Sequence, residues 1–192
     1  ASWPSYHGSI AMTYEQASSR GLLMRRADET VFHFRETVQH HFVATLATAE
    51  TAARNREKLL QNFRAFRKSA VEEGRSGAVR AYILPRRGDV AAVDKLACLL
   101  ADQGVEVKRS AGVLGAAGAE YPAASYAIDL AQPAKRLVRT LLDADVKLEE
   151  GFLKEQERRR AKKLPDEIYD VTAWSLALMF NVELVSAASA VE

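Results

Sequence analysis

Residues 29–73 constrain the fold most. Apolar side chains recur there at Val31, Phe34, Val38, Phe42, Leu46, Ala49, Ala53, Leu60, Phe63 and Phe66. The steps are mostly three or four residues, the repeat that gathers side chains on one face of an α-helix. The spacing predicts one long helical stretch, with Asp28 or Thr30 placed to cap its start. A stretch of this length predicts a kink or break, and Asn55 is the expected position. Gly74 and Gly77 bracket Arg75-Ser76 and are expected to end it, because glycine accepts the left-handed backbone of a helix end. GRSG over 74–77 is then the linker between a segment 1–73 and a domain 78–192.

Beyond 77 the pattern changes. Residues 78–84, AVRAYIL, read as a buried strand before Pro85. Asp89 can cap a helix over 90–103, with Val90, Val93, Leu96, Ala97 and Leu100 on one face and Gly104 at its end. Val105-Glu106-Val107 reads as a second strand. Strand, helix and strand in this order predict a parallel sheet with a right-handed crossover. Residues 125–130, SYAIDL, are a third strand, and Pro133 opens a helix that continues over 134–142. A charged helix is expected over 151–163, a final helix over 168–180 around Trp174, and a short strand over 182–185.

The beginning of the chain carries a different signal. In residues 9–18 Ile10, Met12 and Tyr14 alternate with Ala11, Thr13 and Glu15, and this period of two predicts a strand. Glu15 then stands near a strand end, where a carboxylate faces either a cleft or water. The chain opens Ala1-Ser2-Trp3-Pro4, without Met and without a basic-then-apolar leader, as a piece of a longer chain is expected to.

Composition removes several classes of function. Of 192 residues 48% are hydrophobic, enough to bury a core. Lys and Arg number 27 against 25 Asp and Glu, and a net charge of +2 argues against a dedicated nucleic-acid binder. No apolar run approaches the roughly 20 residues that span a bilayer. A single cysteine, Cys98, excludes an intrachain disulfide and a cysteine-rich zinc cage.

Four groups could carry chemistry, and each has a plainer reading. His40 and His41 are adjacent on a helix and point about 100° apart. His33 and His40 share a face, but the sequence is read as holding neither HExxH nor HxxE, and no third ligand is placed with them. Semi-buried imidazoles are expected. Cys98, inside KLACLLAD, has neither a helix N-terminus nor a downstream histidine to activate it, and is expected as a small buried hydrophobe. Gly112, Gly115 and Gly118 form GxxGxxG after a strand, where a phosphate loop could lie. No Walker lysine follows, so a connector is expected. Lys154–Lys163, KEQERRRAKK, holds six basic and two acidic residues and reads as a solvated helix face. Contact with phosphates is the other possibility, though no aromatics are interleaved to stack on bases.

The segment from Gly8 to Leu22, GSIAMTYEQASSRGL, resembles the one that carries the catalytic glutamate of carboxypeptidase A-like zinc metallopeptidases. It is most similar to bacterial members with an extra domain after the peptidase. HFRETVQHHFVATLATAETAARNREKLL resembles the closing helix of such a peptidase domain. YILPRRGDVAAVDKLACLLADQGVEVKRS, YPAASYAIDLAQPAKRLVRTLL and DEIYDVTAWSLALMFNVE resemble the appended domain, which is related to the class I glutaminase fold.

The resemblance implies an α/β chain. Residues 1–73 would be the end of a zinc carboxypeptidase domain, a strand plus a long helix. Residues 78–192 would be a small flavodoxin-like, glutaminase-like parallel-sheet domain. Glu15 matches the family's general base, which deprotonates a zinc-bound water for attack on a peptide carbonyl. The zinc ligands and the arginines that hold the substrate carboxylate would lie upstream of Ala1, and Tyr6 is not matched to the family's tyrosine. The implied cofactor is therefore zinc in a parent protein, the implied partner a peptide substrate, and the implied location periplasmic or secreted. This chain alone is expected to be inactive. The appended domain has no histidine after His41 and holds Cys98 inside a helix, so it is not expected to run a glutaminase triad. The alternative of another class is a non-catalytic α/β module that binds a ligand at its strand ends and the Gly112–Gly118 loop.

Overall fold

A computed structural model describes residues 3–15, 19, 21–144, 148–167 and 175–191. The chain is mixed α/β, and its sheets are antiparallel. It divides into two compact units, Ala1–Arg67 and Lys68–Glu192.

Unit 1 begins with a single helical turn, α1 (Trp3–Tyr6), where Trp3 meets the His7 ring edge-on at 5.4 Å. Residues 9–15 then run without regular secondary structure. The strand expected over 9–18 is therefore not formed at 9–15, and 16–18 lie outside the described residues. The alternation is present, but among the described residues no neighbouring strand lies alongside it. The strands of this unit are β1 (Leu23–Arg25) and β2 (Val31–His33), an antiparallel hairpin in the register Leu23↔His33, Arg25↔Val31. Asp28 closes it: its carboxylate accepts from the Thr30 amide at 3.1 Å and the Thr30 hydroxyl at 2.6 Å. Asp28 is thus a turn-former and not the expected helix cap, a use of the same short acceptor side chain.

The long helical stretch starts later than expected and breaks at Asn55. Helix α2 (Phe34–Arg54) begins after His33, whose backbone N–H donates to the Glu36 side chain at 2.7 Å. Asn55 ends α2, with its side-chain amide donating to the Thr51 carbonyl at 2.8 Å. Helix α3 (Arg56–Ser76) follows at once. Its Phe63 and Phe66 rings lie against Gly8, where φ is +95° and a Cβ would stand 2.7 Å from Phe66 Cδ1. Of the two glycines expected to end α3, Gly77 follows its last residue and donates its N–H to the Glu73 carbonyl at 2.9 Å, without the left-handed backbone expected of it, and Gly74 does not end the helix. Gly74 is buried inside it, and the chain leaves the helix only past Ser76.

Unit 2 holds a four-stranded sheet in the order β4-β7-β3-β8, with every neighbouring pair antiparallel. Its strands are β3 (Ala81–Leu84), β4 (Lys108–Arg109), β7 (Tyr126–Asp129) and β8 (Val185–Ala187). The expected parallel sheet is not formed. β3 and β4 do point the same way around helix α4 (Val90–Asp102), but β7 lies between them and runs against both. Such a crossover with a strand inserted is the split β-α-β, or ferredoxin-like, connectivity. The second strand is also displaced, from 105–107 to 108–109. Gln132 explains the shift: its side-chain amide accepts from the Glu106 N–H at 2.8 Å and donates to the Glu106 carbonyl at 3.2 Å. The backbone groups of Glu106 are thereby occupied before a ladder can use them.

The register sorts the sheet's side chains onto two faces. Ala81 and Ile83 share a face with Ala127, Val185 and Ala187. This face is covered by the hairpin β5 (Leu114–Ala116) and β6 (Ala119–Tyr121), through Leu114 and Tyr121, and by Val191. Tyr82, Leu84, Tyr126 and Ile128 share the other face. Tyr126 reaches Asp94 of α4, and Tyr82 reaches Asp143 at the end of helix α5 (Lys135–Leu142), so this is the helix side. The expected apolar face of α4 is buried at Val93, Leu96, Ala97 and Leu100. Helix α6 (Glu150–Ala161) and the turn α7 (Leu176–Met179) complete the unit. Most of the helix expected over 168–180, with Trp174, lies outside the described residues.

Candidate functional site

Glu15 is exposed, at the end of the extended segment 9–15. Its neighbour Tyr14 anchors that segment to α2 by a hydrogen bond between its phenol and the Thr48 hydroxyl. Thr48 in turn donates to the Ala44 carbonyl at 2.7 Å, one turn back along the helix. The residue before Glu15 is thus tied to α2.

Unit 1 leaves many large apolar side chains exposed. Ile10, Met12 and Tyr14 are exposed, Ile10 to 67%. On α2 the row Phe34, Val38, Phe42 and Leu46 steps by four residues along one face, and all four are exposed, Phe42 to 62%. The helical period read from the sequence is therefore real, but the face it defines lies uncovered in unit 1. Among the described residues the hairpin and α2 bury Phe32 and Thr37; the Arg26 guanidinium lies 4.3 Å from the Phe32 ring centroid and the His40 ring stacks on it at 6.3 Å.

Two of the four histidines lie against aromatic rings. His40 lies on Phe32, and His7 on Trp3. The expectation that no HxxE is present is wrong: His33-Phe34-Arg35-Glu36 has that spacing. Here Glu36 folds back onto the His33 backbone N–H, which makes the pair a helix-start device. No group of three or more His, Cys, Asp or Glu side chains that could hold a metal ion occurs among the described residues.

In unit 2 the expectations fare unevenly. Cys98 is exposed and not buried, because it falls on the outer side of α4, away from Leu96, Ala97 and Leu100. The segment 112–118 is part of a hairpin and opens no helix, unlike a phosphate loop. Ala117 (φ 50°) and Gly118 (φ 74°) make its two-residue turn, with the positive φ angles of a type I′ turn. Four of the six basic residues of the run 154–163 pair with carboxylates within it or beside it. Lys154 pairs with Glu150, Arg158 with Glu155, Arg159 with Glu167 and Arg160 with Asp166.

Sequence reasoning missed two polar clusters on the helix side of the sheet. Arg86 grips Asp94 with Nε and Nη2 at 2.9 and 2.8 Å, and the Tyr126 hydroxyl donates to the same carboxylate at 2.9 Å. The Arg86 hydrogen bond, aided by that of Tyr126, holds the Asp94 carboxyl down to about 2. Burial first, and then the bond to Asp94, raises the Tyr126 phenol. In the second cluster Tyr82 donates to Asp143, which also receives Arg139. Burial and that carboxylate raise the Tyr82 phenol. Arg86 and Asp94 are eight residues apart across a turn, a spacing with no helical or strand signature. Each cluster pins a helix to the sheet through a tyrosine of a central strand.

Compared with known protein families, curated proteins and solved structures, the chain matches none. No helix among the described residues is long and apolar enough to cross a membrane.

Proposed function

We propose that residues 1–73 are the closing part of a zinc-dependent carboxypeptidase domain, with peptides as its substrate class and Glu15 as its general base. The observation that supports this most is the uncovered apolar surface of Ile10, Met12, Tyr14, Phe34, Val38, Phe42, Val43 and Leu46. Burying one large apolar side chain stabilises by about 1.5–3 kcal/mol. Covering these together is worth on the order of 10 kcal/mol, comparable to the whole stability of an ordinary domain. So many large apolar side chains left in water mark a place where more protein packs. The alternating segment 9–15, with no neighbouring strand among the described residues, fits the same reading: it is a strand in search of a sheet. The resemblance of residues 8–22 and 33–60 to a peptidase terminus names the domain that would be completed.

The described residues do not fit a zinc site of their own, so what this chain contributes is a carboxylate. Glu15 is suited to accept the proton of the attacking water as its oxygen bonds to the peptide carbonyl carbon. The same proton then passes to the leaving amine, which departs neutral. Segment 9–15 and the Tyr14–Thr48 bond would fix where that carboxylate points. The domain in the region 78–192 is proposed to be an appended, non-catalytic part of the same protein.

The test is a longer chain that includes the residues encoded before Ala1. The reading expects HxxE and a later histidine there, one bound zinc per chain, and release of C-terminal residues from peptides. A longer chain that binds no zinc and cleaves no peptide would overturn it.

A further inference from the structure

We draw no further inference here: the strongest candidate, the apolar surface of unit 1 made by segment 9–15 and the Phe34–Val38–Phe42–Leu46 row of α2, belongs to the site already described, and nothing in the structure shows what else covers it.

Discussion

Gly74 lies against Leu130 with no room for a side chain: a Cβ on Gly74 would stand 1.9 Å from the Leu130 carbonyl oxygen. Alanine in place of a helical glycine normally stabilises by about 1 kcal/mol. Here the sign reverses, because the obstacle is backbone and cannot rotate away. Gly74→Ala is expected to destabilise by about 1–3 kcal/mol, the usual cost of overpacking, or more. Gly151→Ala in α6, where nothing lies within 4 Å, is the control and is expected to be neutral or slightly stabilising. Urea denaturation followed by circular dichroism separates the two. Equal behaviour of both variants would contradict the close packing at Gly74.

The Arg86–Asp94–Tyr126 cluster predicts a pH dependence. Its carboxyl is held at about 2 in the folded chain, against about 3.9 in an unfolded one. A depressed carboxylate stabilises above the unfolded value and loses that contribution as pH falls through the folded value. Asp94→Asn should therefore lower the melting temperature at pH 6, and the deficit should shrink between roughly pH 4 and pH 2. The side chains are partly exposed, so the deficit should also shrink in high salt. A deficit independent of pH over that window would show that the carboxylate's charge is not what matters.

The turn of the β5–β6 hairpin places Ala117 at φ 50°. A left-handed backbone costs an L-residue with a Cβ about 1–2 kcal/mol, and asparagine much less. Ala117→Asn is expected to stabilise by about 0.5–1 kcal/mol. A loss of stability in the same denaturation assay would argue against the type I′ turn.

Much of unit 2 was legible because its signals are local. Asp89 caps α4, as its side chain accepts from the Ala92 amide at 3.0 Å, and the apolar face of α4 is the one its spacing shows. What could not be read was which strands are neighbours. The β3–α4–β4 order is the same whether or not β7 slips between the strands, and nothing local distinguishes a parallel pair from a split one. The shift of β4 depends on Gln132, 26 residues from Glu106. In unit 1 the break at Asn55 was legible from helix length and a helix-poor residue. The missing strand at 9–15 was not, since alternation reports a segment's readiness to pair and not the presence of a partner. Glu15 was singled out by resemblance; its exposed position neither adds a partner nor removes the carboxylate from reach of one.

The apolar row of α2 predicts a variant that acts on association and not on the fold. Phe42→Glu removes an aromatic ring from the middle of the row, where Phe42 is exposed. Surface substitutions usually change stability by about 0.5 kcal/mol or less. This one should leave helix content unchanged and reduce binding of an apolar dye such as ANS to the chain. Unchanged dye binding would mean that the row is not the apolar surface that solvent sees.

Glu15→Gln in the longer, zinc-loaded chain tests the central claim most directly. Glutamine keeps the size and shape of the side chain and removes the proton acceptor. The account predicts that zinc content and peptide affinity stay near those of the unaltered chain. Turnover should fall by about 10²–10⁴-fold, the contribution of a positioned general base. Near-normal turnover in a zinc-loaded Glu15→Gln chain would contradict the assignment and leave Glu15 as a surface acid.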